Sequence, residues 1–191
     1  MNLDLTSDLI SACIAGSEHA IERLIREYQT GIFRLALSIL DDPAEASETT
    51  QDAFISILKA LRSYEEKSSF KAWIYTITLN LCRNRLRKRK SMERLKTALS
   101  TIFRIQSQKT PSPEDAIIQN ENDAILWGAL NALGEKHRTP IILRYFHDLS
   151  PLEIAEILDI NEGTVHSRLH YGRERLRIAL ENTSDLSENR P

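Results

Sequence analysis

The sequence predicts an all-α protein made of two compact helical domains joined by a flexible linker. Three observations carry that expectation. Apolar residues recur at three-four spacing almost throughout, and no convincing alternating strand pattern interrupts them. Only six glycines and six prolines occur in 191 residues, too few for a sandwich or barrel rich in turns. A break at Thr110-Pro111-Ser112-Pro113 divides the helical pattern in two. The length fits one or two domains and allows a core without disulfide or metal staples.

The elements follow in order. A short helix over about Ser7 to Ala15 stops at Gly16. Ser17 then caps a helix whose Ile21, Leu24, Ile25, Tyr28, Ile32, Leu35, Ala36 and Ile39 share one face. Asp42-Pro43-Ala44-Glu45 is a start signal, with an acceptor at the cap and proline at the first helical position. The helix it opens carries Ala46, Ala53, Phe54, Ile57, Leu58 and Leu61. After a polar loop over Ser63 to Ser69, Ser69 caps a long helix beginning at Phe70. Residues 91–112 read as the linker. A second module starts near Pro113, with Ala116, Ile117, Ile125, Leu126, Ala129 and Leu133 on its first helix. Gly134 ends that helix, and Thr139-Pro140 is expected to start the next.

Net charge is only −2, which seems to speak against a nucleic-acid partner. The distribution says otherwise. Residues 1–62 carry 5 basic and 10 acidic side chains, whereas residues 63–98 carry 10 basic and 3 acidic ones. A second cluster, Arg168, Arg173, Arg175 and Arg177, lies near the C-terminus. Two basic segments separated by acidic ones point to two contacts on one polyanion, with acidic surfaces left for other partners. No apolar run reaches the ~18 residues of a membrane span. The N-terminal Met1-Asn2-Leu3-Asp4 has no secretory character, and Cys13 and Cys82 read as buried thiols, which together predict a cytoplasmic protein.

Two helices carry candidate chemistry. On the helix after Ser69, Phe70, Trp73, Ile74, Ile77 and Leu81 form one apolar stripe, and Tyr75, Leu79, Cys82 and Leu86 form another on the far side. Thr76, Asn80, Arg83 and Arg87 remain as a narrow free strip. An amide followed by two guanidinium groups suits single-stranded or melted nucleic acid. Near the C-terminus, Ser150-Pro151-Leu152-Glu153 forms a capping box and opens a short helix with Ile154, Ala155 and Leu158 inward. Asp159-Ile160-Asn161 makes a tight turn, and a second helix keeps Val165, Leu169, Gly172 and Leu176 inward. The spacing fits a helix-turn-helix whose second helix enters a major groove. The outward arc holds His166, Ser167, His170, Arg173 and Arg177, with Tyr171 on one edge. His166, His170 and Glu174 also recur every four residues, but the set lacks a further ligand and sits among arginines, so no metal is expected. No phosphate loop, nucleophile elbow or catalytic triad appears, so neither catalytic residues nor a cofactor are expected.

The order of these parts resembles the extracytoplasmic-function class of bacterial RNA polymerase sigma factors, over about residues 17–181. One motif block is Asp42 through Ala46, Gln51-Asp52-Ala53-Phe54, Ser68 through Tyr75 and Asn80, similar to the family's second region. The other is Leu143-Arg144-Tyr145, Leu149-Ser150, Glu153-Ile154-Ala155 and Gly163 through Leu169, similar to its fourth region. The resemblance implies a region 2 bundle over 1–90, the linker over 91–112, a region 4 helix-turn-helix module over 113–182 and a disordered tail over 183–191. It implies that Asp42, Glu45, Glu48, Gln51, Asp52 and Phe54 bind the polymerase clamp. Tyr64, Lys67, Ser68, Ser69, Thr76, Asn80, Arg83 and Arg87 would open the minus-ten element and receive a flipped base. Ser150, Thr164, His166, Ser167, Arg168, His170, Tyr171 and Arg173 would read the minus-thirty-five element, while region 4 touches the flap. An anti-sigma protein is an implied partner.

Departures from the family pattern carry expectations too. Ser47, Thr49 and Thr50 replace more acidic or aliphatic positions, which predicts a weaker clamp surface. His166 and Tyr171 stand where lysine or arginine is common, so promoter binding is expected to tighten as imidazoles charge near pH 6–7. The competing reading, a helix-turn-helix regulator of the response-regulator type, would need a strand-containing receiver domain that the first half does not show. An enzyme or a purely structural adaptor fits the segregated charge less well.

Overall fold

The computed structural model describes residues 3–65, 69–103 and 121–188, with side chains described over 7–65, 69–95 and 125–181. Among them every regular element is helical: α1 (Leu3–Ile14), α2 (Glu18–Leu40), α3 (Pro43–Ala60), α4 (Phe70–Phe103), α5 (Glu121–Ala132), α6 (Glu135–Tyr145), α7 (Pro151–Leu158) and α8 (Glu162–Glu188). A single 3-10 turn, Leu61–Ser63, follows α3.

The boundaries rest on local chemistry. Gly16 takes a left-handed φ of +83° after α1, a conformation that costs other residues more. Ser17 and Asp42 accept from the backbone N–H groups of Ala20 and Glu45, capping α2 and α3. At α7 both halves of the capping box are present: Glu153 N–H donates to Ser150 Oγ, and Ser150 N–H donates to Glu153 Oε2. Asp159 ends α7 at φ 52°, so an aspartate occupies the left-handed turn often given to glycine.

Two boundaries differ from the sequence reading. The helix expected to start at Thr139-Pro140 begins four residues earlier, at Glu135, and Pro140 lies inside it. Gly134 in extended backbone is the N-cap of α6, and Pro140, its sixth residue, leaves the Lys136 carbonyl without the i→i−4 bond that another residue would donate. Helix α4 also continues to Phe103, so the first part of the expected linker, residues 91–103, is helical. Its run over Ser91 to Phe103 contains no proline or glycine, so nothing local stops it. Residues 104–120, including the Thr110–Pro113 break, lie outside the described residues.

The first module packs α2, α3 and α4 side by side, with α1 across α2. Leu24, Ile32, Leu35, Ile57, Ile74 and Leu79 are fully buried between them. In the second, α8 lies against α5, α6 and α7, around Leu130, Ile142, Leu143, Leu149, Ile154 and Val165. Gly172 makes the α6–α8 crossing close: a Cβ there would sit 2.9 Å from Ile141 Cγ1 and 3.5 Å from the His137 carbonyl oxygen. Small buried hydroxyls are satisfied by their own helices, with Thr49, Thr50 and Thr78 donating to the carbonyls of Glu45, Ala46 and Ile74. Cys13 and Cys82 are buried free thiols, and burial pushes the Cys82 pKa up to about 12.

The modules dock directly. Arg138 Nη2 on α6 donates to the Ile39 carbonyl at 3.2 Å, and Asn131 Nδ2 on α5 donates to Asp41 Oδ2 at 3.4 Å. The sequence reading of two independently tethered modules contained no such contact.

Candidate nucleic-acid and polymerase interfaces

On α3 the acidic residues face outward but not into empty solvent. Arg85 on α4 forks between Glu48 Oε2 and Asp52 Oδ2, both at 2.8 Å, and those bonds hold its pKa above the usual arginine value. Arg89 lies 3.9 Å from Glu45 Oε2. Part of the basic cluster therefore neutralises the acidic shoulder from behind. Gln51 is exposed, and Asp42 is committed to its cap. Phe54, expected at the polymerase surface, is a core residue at 7% exposure. Its position between Ala53 and Ile57 puts it on the inner arc of α3. Ile55, one position on, is 51% exposed among these carboxylates and is the apolar candidate that sequence reasoning missed. Thr49 and Thr50 are buried, so of the three departing positions only Ser47 reaches the surface.

The strip on α4 lies where the pattern placed it. Asn80 and Arg87 are exposed, Arg83 is half-buried, and the half-buried Thr76 returns its hydroxyl to the Ala72 carbonyl. Arg87 bonds Asn84. At the N-terminal end Ser69 Oγ caps α4 through Ala72 N–H. Tyr64 stands against Phe70 and Trp73, each 5.1 Å away between ring centroids. Trp73 thus packs between rings while remaining half-buried. Lys67 and Ser68 lie outside the described residues.

Region-4-like residues touch this strip. Glu135 accepts from Arg83 Nε at 3.0 Å, Glu153 Oε1 accepts from Ser69 Oγ at 3.2 Å, and the His147 carbonyl accepts from Lys71 Nζ at 2.9 Å. His147 itself is buried, with its Nδ1 3.3 Å from the Tyr75 hydroxyl. Burial, reinforced by Lys71 and Arg34, pushes the His147 pKa down to about 4. Burial likewise raises Tyr75 to about 12. Glu153 is pushed up by burial, but the Ser150 N–H and hydroxyl, the Ser69 hydroxyl and the Lys71 charge bring it below the usual value. None of these cross-module partners was legible in the sequence, because each contact joins residues more than fifty positions apart.

On α8 the arc is open. His166, Ser167, His170 and Arg173 are exposed, and Thr164 and Arg168 are half-buried. Asn161 Oδ1 accepts from both the N–H and the hydroxyl of Thr164, so the turn caps the recognition helix. Tyr171 stacks on His137 of α6 at 4.3 Å and takes a hydrogen bond from Arg175 Nε. Ser150 is engaged by Glu153 in the capping box. Among the described residues no group of three metal-ligating side chains occurs, and no helix is long and apolar enough to cross a membrane.

A bundle with a polar amide–guanidinium strip, followed by a helix-turn-helix, defines a two-module DNA-binding protein. The sequence matches the family models for sigma-70 region 2 over residues 24–92 and sigma-70 region 4 over residues 123–176. It is 33% identical over 170 residues to the ECF RNA polymerase sigma factor SigW of Bacillus subtilis, covering 86% of this chain and 91% of that one. It is 32% identical over 178 residues to the RNA polymerase sigma-H factor of Pseudomonas aeruginosa, covering 91% and 92%. The fold is similar to that of the sigma factor RpoE of Bartonella quintana, solved with the anti-sigma factor NepR, at TM-score 0.68 and 23% identity over 84% of this chain and 96% of that one. A similar fold, at TM-score 0.66 and 20% identity over 91% and 96%, is that of CnrH, solved with the cytosolic domain of CnrY. The chain belongs to the ECF family of RNA polymerase sigma factors. It is a specificity subunit that binds core polymerase and directs promoter recognition, melting and initiation.

Proposed function

We propose that this sigma factor divides its promoter between two helices: α4 takes the melted strand at the minus-ten element, and α8 reads the duplex at the minus-thirty-five element. The division follows region 2 over residues 1–90 and region 4 over 113–182, joined through 91–112, while α8 runs on to Glu188 into the stretch 183–191 expected as a disordered tail. The observation that carries it is the contrast between a narrow polar strip on a helix buried on its other sides and a broad exposed arc on α8. Asn80 offers both donor and acceptor to an extruded base, while Ser69, Thr76, Arg83 and Arg87, with Tyr64, Lys67 and Ser68 of the loop, line the strand. On α8, Arg168 and Arg173 supply charge, and Thr164, His166, Ser167, His170 and Tyr171 supply base-edge and backbone contacts, with Ser150 at the start of α7.

Glu48, Gln51 and Asp52, with Ile55 at their centre, form the polymerase-facing surface of α3, flanked by Asp42 and Glu45. The flap belongs to region 4. The protein works in the cytoplasm with polymerase, performs no bond chemistry of its own and needs no cofactor. An anti-sigma protein is the expected antagonist: the similar RpoE was solved with the anti-sigma factor NepR, and the similar CnrH with the cytosolic domain of CnrY. Run-off transcription with bacterial core polymerase on a randomised promoter library tests the reading. Enriched templates should share two spaced elements, and initiation from no template would overturn it.

A further inference from the structure

Tyr171 stands where lysine or arginine is common in the family, which leaves the recognition helix a fixed charge short by sequence. The structure returns a cation to that place from one turn further along α8. Arg175 Nε donates to the Tyr171 hydroxyl at 2.9 Å, and the guanidinium carbon lies 5.4 Å from the ring centroid. We propose that Arg175 supplies the charge that position 171 lacks, and that Tyr171 is the positioning residue holding it toward a DNA phosphate. This deepens the assignment of α8 to the upstream duplex and rests on it.

The ring that carries Arg175 is itself braced. Tyr171 stacks on His137 of α6 at 4.3 Å, with the planes 33° apart. The missing Cβ of Gly172 lets α8 come that near, since one built there would meet Ile141 Cγ1 at 2.9 Å. Burial lowers the His137 pKa against the pull of a hydrogen bond to the Arg168 backbone, and the charges of Lys136, Arg168 and Arg175 lower it further. The imidazole behind Tyr171 is therefore neutral near pH 7 and does not repel the guanidinium.

What Arg175 has left to offer is open. Among the described residues no carboxylate pairs with it, whereas Arg177 is tied to both Glu174 and Glu181. With Nε spent on the hydroxyl, its terminal nitrogens keep their N–H donors for an outside acceptor. Arg168, Tyr171 and Arg175 follow at spacings of three and four, so they share one flank of α8 beside the exposed His166, His170 and Arg173. A helix in a major groove has sugar–phosphate backbone along its flanks, which makes phosphate the acceptor this flank meets. Tyr171 also removes part of the rotamer freedom that a long exposed arginine otherwise gives up on binding.

The test uses the full chain and a fluorescein-labelled random-sequence duplex DNA, read by anisotropy across a salt series. A random pool averages out base readout, so losses report contacts to the backbone. Arg175→Gln should weaken binding about fivefold and flatten the salt slope by about 0.9, the share of one phosphate. Tyr171→Phe keeps the ring and drops the hydroxyl. It should weaken binding about twofold when Arg175 is present and leave it unchanged in the Arg175→Gln chain. Tyr171→Arg should restore most of the affinity and slope that Arg175→Gln loses. Arg175→Lys, which keeps the charge without the Nε donor, should retain the slope while losing part of the affinity.

An unchanged affinity and slope for Arg175→Gln would overturn the contact. Equal losses from Tyr171→Phe with and without Arg175 would make the tyrosine a direct DNA contact and end its positioning role. If Arg173→Gln flattens the slope while Arg175→Gln does not, the assignment of α8 survives and this inference alone is lost. If neither variant alters the slope, the assignment itself fails and the inference falls with it.

Discussion

The two DNA-facing helices solve the same electrostatic problem in different ways. Helix α4 is gripped on opposite sides, by α2 and α3 in its own module and by α7 of the other. Its cations are divided: Arg85 and Arg89 turn back to the carboxylates of α3, while Arg83 turns to Glu135. Helix α8 keeps its charge pairing local, with Arg177 between Glu174 and Glu181 and His166 3.6 Å from Glu162. Access to α4 therefore depends on how distant parts of the chain pack, whereas access to α8 depends on its own turn and the helix it crosses. Charge content in a sequence counts cations; packing decides which of them reach DNA.

The largest expected effect separates core from surface on α3. Phe54→Ala should cost about 4 kcal/mol of stability, because it empties a buried aromatic site. Ile55→Ala should leave the unfolding midpoint nearly unchanged and weaken capture by core polymerase in a pull-down. Equal stability losses for both would erase the distinction between the two positions.

Next comes the division between the helices. Arg168→Ala should weaken duplex binding to the upstream element by about tenfold in a gel shift, a typical loss for one arginine contact. Asn80→Ala should spare duplex binding and reduce permanganate reactivity of the opened minus-ten region. Parallel losses in both assays for both variants would mean that the two helices do not divide the work.

Acid should also act on the junction between the modules. His147 faces Lys71 and Tyr75 of α4, Arg34 of α2 and Asp148 of its own loop. Its docked pKa of about 4 lies below the ordinary 6.5, so docking favours the neutral ring. That contribution is complete above about pH 6.5 and is lost as the pH falls toward 4. The radius of gyration should grow across that window in the wild type, and His147→Gln should flatten the response. An unchanged radius from pH 7 to pH 4.5 would remove His147 from the junction's energetics.

The smallest effect concerns Ser150, whose hydroxyl is engaged in the capping box. Ser150→Ala should lower stability by about 1 kcal/mol, while the order of preference among upstream-element variants stays the same. A changed base preference would make Ser150 a base-reading group rather than a contact to the DNA backbone.

Much of this molecule was legible before any coordinates. Ser17, Asp42, Ser69 and Ser150 cap the helices they were expected to cap, because a short side-chain acceptor next to an apolar periodic run is a local signal. The inward residues Val165, Leu169 and Gly172 and the tight turn at Asp159 followed from spacing over a few turns. Local signals also misled at Pro140, which looked like a helix start but was absorbed one and a half turns into α6. Phe54 was assigned by motif to a surface that its helical phase does not reach.

By itself the sequence determined the helices, their caps, the apolar faces and the two stretches able to meet a polyanion, since these depend on residues within a few positions of one another. The tertiary structure alone decided which cations are already paired and that Glu135, His147 and Glu153 lie over the α4 strip. Those outcomes join groups far apart along the chain, where no periodicity records who will be neighbours. Only the packed chain brings their charges within a few ångströms.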